Sequence, residues 1–84
     1  GMRKTEIIKK EYEQIIDVWK FEHKWLDKLP FKDADYTNMI AECNDAVKKK
    51  PKNEQAFLTC LLNGYIDHMA EIDRKLKEKG GVAQ

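Results

Sequence analysis

The sequence predicts an all-α chain, a three-helix antiparallel staggered bundle with two long helices and a shorter middle helix. Three observations predict it. Apolar residues recur at intervals of three and four, the period of an amphipathic helix. Pro30, Pro51 and the pair Gly80-Gly81 cut the chain into three such segments. The connections left between them are short, and short connections make consecutive helices antiparallel neighbours.

The first segment runs from Thr5 to Leu29. Its apolar spine reads Ile8, Tyr12, Ile15, Trp19, Leu26 and Leu29, with Glu22 standing where an apolar residue belongs. Ile16, Val18, Phe21 and Trp25 widen the stripe, as in a helix packed on two neighbours. Thr5 suits an N-cap, and Pro30 stops the helix because the residue before proline avoids the α region. The second segment, Tyr36 to Lys50, would bury Tyr36, Met39, Ile40, Cys43 and Val47, with Asp33 or Asp35 capping its start. The third, Glu54 to Lys79, would be capped by Asn53 and closed by Gly80-Gly81. Leu58, Leu62, Tyr65, Met69, Ile72 and Leu76 alternate steps of four and three along it, and Phe57, Leu61 and Ile66 widen the face.

These segments form one helical domain over 1–84, with 1–4 and 80–84 expected to fray and Gly1, ahead of Met2, read as the remnant of an expression tag. A chain of 84 residues buries only about two-thirds of its unfolded surface, so its core is thin. The lengths are also unequal. At ~1.5 Å per residue the outer helices approach ~40 Å and the middle one barely exceeds ~20 Å. The start of the first helix, with Ile7, Ile8 and Tyr12, and the end of the third, with Met69, Ile72 and Leu76, then overhang with apolar stripes uncovered. Stripes of that kind mark association surfaces, and a homodimer that buries them is the expected solution.

Chemistry is harder to find. His23, Cys43, Cys60 and His68 make a zinc inventory, but no two have the close spacing that fixes two ligands on one turn. Both thiols fall mid-helix on apolar faces and read as small buried hydrophobes. There is no serine, no glycine-rich phosphate loop, and no cofactor is expected. Asp33 and Asp35 read as capping residues. Of the carboxylates Asp67, Glu71 and Asp73, Asp67 and Glu71 stand four apart and read as solvated helix charges, with Arg74 and Lys75 in pairing range. Gly64, isolated in a helix, suggests a close helix crossing. Glu22 and His23 read as boundary residues, and Trp19, Phe21 and Trp25 as core aromatics. No catalytic or metal-binding residue is assigned, and an enzyme is not expected.

Sixteen basic and fifteen acidic residues give a net charge of +1, which argues against a dedicated nucleic-acid binder. The dense run Lys48, Lys49, Lys50 and Lys52 keeps an accessory contact to a phosphate backbone open as the alternative function, a reading that would also enlist Lys9 and Lys10. Apolar runs are too short to span a membrane, and neither a secretory leader nor a disulfide framework is evident, so a cytoplasmic setting is expected.

Ala46, Pro51 and Phe57 match tetratricopeptide spacing, but Leu61, Gly64 and Asp73 depart from it and no second copy follows. From Trp19 to Leu76 the chain resembles short helical proteins encoded in bacterial prophages and mobile elements. Trp19, Trp25, Asp35-Tyr36, Ile40, Asn44 and the lysines after it carry the resemblance. So does the stretch from Phe57 to Asp67, similar to those proteins' Phe-x-x-x-Leu-Leu-x-small-apolar-Ile-Asp pattern, while Thr37 departs, standing where those proteins often carry a second aromatic. The resemblance implies a three-helix fold and a phage-related setting, and no activity. The expected function is non-enzymatic, through contacts with itself or an unidentified protein.

Overall fold

A computed structural model describes residues 3–80. The expected fraying of 1–2 and 81–84, and the tag remnant, lie outside the described residues. Three helices follow one another: α1 (Lys4–Leu26), α2 (Asp33–Lys48) and α3 (Lys52–Gly80). The architecture is the all-α, three-helix one, with two long helices and a short one between them. Helix α3 packs against both α1 and α2.

Local chemistry sets the ends. Helix α1 begins after Arg3, one residue before the expected Thr5 cap, and the Arg3 side chain does not cap it. It stops at Leu26, three residues early. Lys28 N–H and Leu29 N–H then bond three residues back, to Trp25 and Leu26, tightening the exit before the cis Leu29–Pro30 peptide. Helix α2 starts three residues before Tyr36. Asp35 caps it from inside the first turn, its carboxylate accepting from the Lys32 N–H at 2.9 Å. Pro51 precedes α3, where a missing N–H costs nothing, and the Gln55 side chain donates back to the Lys50 carbonyl at 3.0 Å.

The molecule extends 56 × 20 × 16 Å. Helix α3, at 29 residues, is only ~43 Å long, so the helices are staggered. The offset is visible in the contacts. Glu54, in the first turn of α3, meets Lys10 and Gln14 on α1, leaving the first turns of α1 projecting. At the other end Asp73 of α3 is level with Phe31 and Tyr36. Only the last two turns of α3 run on past that point. The expected α3 overhang is therefore shorter than its apolar pattern suggests. Met69 is 0 % exposed and belongs to the core, Ile72 is half-buried, and Leu76 alone of the three is open. At this end the α1–α2 connection adds Phe31 to the same buried core.

The core comprises Val18, Phe21 and Trp25 of α1, Phe31, Met39 and Cys43, and Leu58, Leu62 and Met69 of α3. Trp25, Phe31 and Tyr36 meet edge-on, with ring centroids 6.5 and 5.3 Å apart, at the end where the connection closes the bundle. On α1 the buried line is Gln14, Val18, Phe21 and Trp25. It lies about 100° around the helix from the expected spine. The expected members Ile8, Tyr12, Ile15 and Trp19 face outward. On α2, Ile40 is likewise exposed, while Met39 and Cys43 are buried.

Candidate interaction face

Helix α1 is apolar on two sides, and the bundle uses one. On the other, Ile8 is 58 % exposed, Tyr12 62 %, Ile15 41 % and Trp19 50 %. Their spacing of four, three and four lines them up along one stripe, and none carries a charge. Ile7 is exposed beside them, and Ile16 is half-covered without packing on the core. His23 extends the stripe, its ring 4.2 Å from the Trp19 ring. Four large apolar side chains exposed in a row are a feature of the fold, unlike apolar residues scattered singly over a surface.

Next to this stripe lies a shallow depression on α3, lined by Cys60, Leu61, Gly64, Tyr65 and His68. His68 reaches across to Glu22 on α1 at 3.9 Å, so the depression borders α1 one turn beyond Trp19. Gly64 marks no close crossing among the described residues. A Cβ placed there would meet nothing among the described residues within 4 Å. Its missing side chain instead deepens the depression. Glu22, expected at the boundary, is buried against α3 because the helix turns its Phe21–Trp25 side inward. Cys60, expected in the core, is exposed, while Cys43 is buried. Burial, with the Glu42 carboxylate beside it, pushes the Cys43 thiol up to about 11.

Of the six residues expected on the overhangs, Ile7, Ile8 and Tyr12 lie together at the projecting end of α1, and Leu76 lies at the far end of the molecule. The structure does not bring the two groups together. Ile15 and Trp19, absent from the expected surface, are contiguous with the first group. Their spacing was legible, but the same spacing also describes a core face.

Two buried polar groups shape the bundle behind this face. Asp73, 2 % exposed, accepts from the Phe31 N–H at 2.8 Å, the Tyr36 hydroxyl at 2.5 Å and the Lys77 ammonium at 2.8 Å. Burial opposes its charge, but these three donors outweigh that and hold its carboxyl below the ordinary range. Burial, then the bond to Asp73, pushes the Tyr36 hydroxyl up to about 12. Both oxygens of Asp73 are thus engaged, and the group is tied into structure. At the other end Gln14 is 3 % exposed and donates to Glu54 at 3.4 Å, while its Oε1 has no donor among the described residues. Gln14 lines a groove of about 280 Å³ with Ile7, Lys10, Glu11, Asn53, Glu54 and Phe57.

Lys48, Lys49 and Lys52 are exposed around the α2–α3 turn, and Lys50 is partly covered. Lys10, which points toward this end, pairs with Glu54 at 3.5 Å. Glu71 pairs with Arg74 and Lys75, as expected for solvated helix charges. Among the described residues, no three His, Cys, Asp or Glu side chains cluster as a metal ion requires, and no helix is long and apolar enough to cross a membrane. Comparison with protein-family models, curated proteins and solved structures finds no match.

Proposed function

We propose that this chain acts through protein contacts rather than by catalysis, with the outer face of α1 as its contact surface. The observation behind the reading is the uncharged stripe of Ile8, Tyr12, Ile15 and Trp19, left open by a bundle that has already filled its core from the other side of the same helix. Aromatic and isoleucine side chains in a row at helical spacing are what a helix-in-groove or helix-on-helix partner requires. The phage or mobile-element setting implied by the sequence resemblance is part of the same proposal.

A photo-crosslinking amino acid at Tyr12, compared with one at the exposed α2 residue Asn38, tests it in cells that express the chain. The expected result is a discrete protein adduct from position 12 and none from position 38. No protein adduct at position 12, or equal adducts at both, overturns the reading.

The alternative, an accessory contact to nucleic acid through Lys48, Lys49, Lys50 and Lys52, has the exposure of three of those lysines behind it. It has less support, because Lys10, which would extend the patch, is engaged by Glu54. Binding to a DNA duplex that weakens steeply with salt would favour it.

A further inference from the structure

The stripe on α1 reads the same from either end. Steps of four, three and four place Ile8, Tyr12, Ile15 and Trp19 symmetrically about a point between residues 13 and 14. We propose that the occupant of this face is a second copy of the chain, docked with its α1 antiparallel to the first across a two-fold axis at that point. The inference rests on the protein-contact reading and names the partner.

Four arguments support it. A two-fold interface must be complementary to itself, and this stripe is. Reversal sets Trp19 of one copy against Ile8 of the other, and Tyr12 against Ile15. Each aromatic ring meets an isoleucine, so large and small side chains alternate along the seam. A parallel pairing would instead stack Trp19 on Trp19 and Tyr12 on Tyr12, leaving the isoleucines to face each other.

Second, no charge is buried. The four stripe residues are uncharged, and Glu22, the acid that continues their spine, is already covered within the protomer beside His68 of α3. Third, the area suffices. An aromatic side chain carries ~150–250 Å², so the exposed parts of Trp19, Tyr12, Ile8 and Ile15 come to roughly 400–500 Å². With the rim of Ile16 and His23, the face covers well over half of the ~800 Å² per partner of a standard interface, the size of a small, dissociable dimer.

Fourth, antiparallel docking supports the projecting turns. Residues 4–9 of α1 precede the level at which Glu54 of α3 meets Lys10 and Gln14. A short helical end supported on one side only is marginal in water. In the antiparallel pair it lies against residues 18–23 of the other copy, next to the depression at Gly64. In a parallel pair both projections leave the same end together.

The test uses the whole chain. Sedimentation should give twice the 9.9 kDa chain mass. Tyr12→Glu should raise the dissociation constant on the order of 100-fold or more while helicity is kept. Orientation is read with cysteines at the edge of the face that spare its four apolar residues, in a Cys60→Ser background. Thr5→Cys mixed with His23→Cys should form a crosslinked dimer. Thr5→Cys alone should not, because two copies of residue 5 then stand ~26 Å apart along the seam. A monomeric wild type, a dimer indifferent to Tyr12→Glu, or self-crosslinking of Thr5→Cys overturns the proposal. A photo-adduct at Tyr12 with the mass of a different protein also sinks it, yet leaves the protein-contact reading standing; only the absence of a position-specific protein adduct removes both.

Discussion

Tyr36 donates its hydroxyl to Asp73 at 2.5 Å, joining the first turn of α2 to the last third of α3. The same carboxylate holds the Phe31 N–H, so one buried acid ties both the α1–α2 connection and the start of α2 to α3. A hydrogen bond to a charged group contributes about 1.5–3 kcal/mol, and stranding its buried partner costs more. Asp73→Ala is expected to lose about 2–4 kcal/mol, a large part of the ~5 kcal/mol that a small domain holds. Tyr36→Phe should lose about 1–2 kcal/mol, because Asp73 keeps two donors. Urea unfolding of the three chains measures both; equal stabilities would show that the carboxylate holds nothing together.

Acid should undo the same knot. The Asp73 carboxyl titrates below its ordinary range when folded, so its contribution is complete above the unfolded value of about 3.9 and is lost as pH falls through the folded value. The wild type is expected to lose more stability on acidification than Asp73→Asn. Parallel curves for the two chains below pH 4 would contradict this.

At the alkaline end the sign reverses. The Tyr36 hydroxyl is raised to about 12, so folding favours its protonated form. Its contribution is whole below about pH 10, the unfolded value, and disappears as pH climbs toward 12. Ultraviolet titration of the phenolates should show a late-ionising tyrosine that Tyr36→Phe removes.

Gln14 offers a test of opposite direction. It occupies a core position of α1 with its Oε1 unpaired and only a long bond from its amide to Glu54. A buried acceptor without a donor costs about 1–3 kcal/mol, and an apolar residue of the same shape removes that cost. Gln14→Met should therefore unfold at higher urea, with a gain of about 1 kcal/mol. A loss of stability would mean that the Glu54 contact outweighs the stranded oxygen.

Three helices and their order were legible because proline, glycine and the three-four period act locally. The rotation of α1 was not. Its two apolar stripes lie one residue apart around the helix, and Gln14 disguises the one that is buried. Phe31 sits in a connection, outside any periodic pattern, yet joins the same buried core as Met69. Asp73 falls in a run of acids and bases on α3, and only the spatial arrival of Phe31 and Tyr36 separates it from the solvated Glu71. The candidate face was partly legible for the same reason it was misread: Ile8, Tyr12, Ile15 and Trp19 have the spacing of a packed stripe, and periodicity does not say whether the packing partner is in the same chain.

The two tryptophans decide that question within one helix. Trp25 is buried against Phe21 and Phe31, and its indole N–H donates to Glu42 at 3.3 Å. Removing such a side chain costs about 3–5 kcal/mol, so Trp25→Ala should leave the chain largely unfolded. Trp19, half exposed and outside the core, should behave as a surface residue in the protomer. Trp19→Glu is expected to change stability by no more than about 0.5 kcal/mol at dilutions where the chain is monomeric. Acrylamide should also quench Trp19 readily at those dilutions and leave Trp25 shielded. If Trp19→Glu unfolds the dilute protomer while Trp25→Ala is tolerated, α1 packs on its other side and the open face assigned to it does not exist.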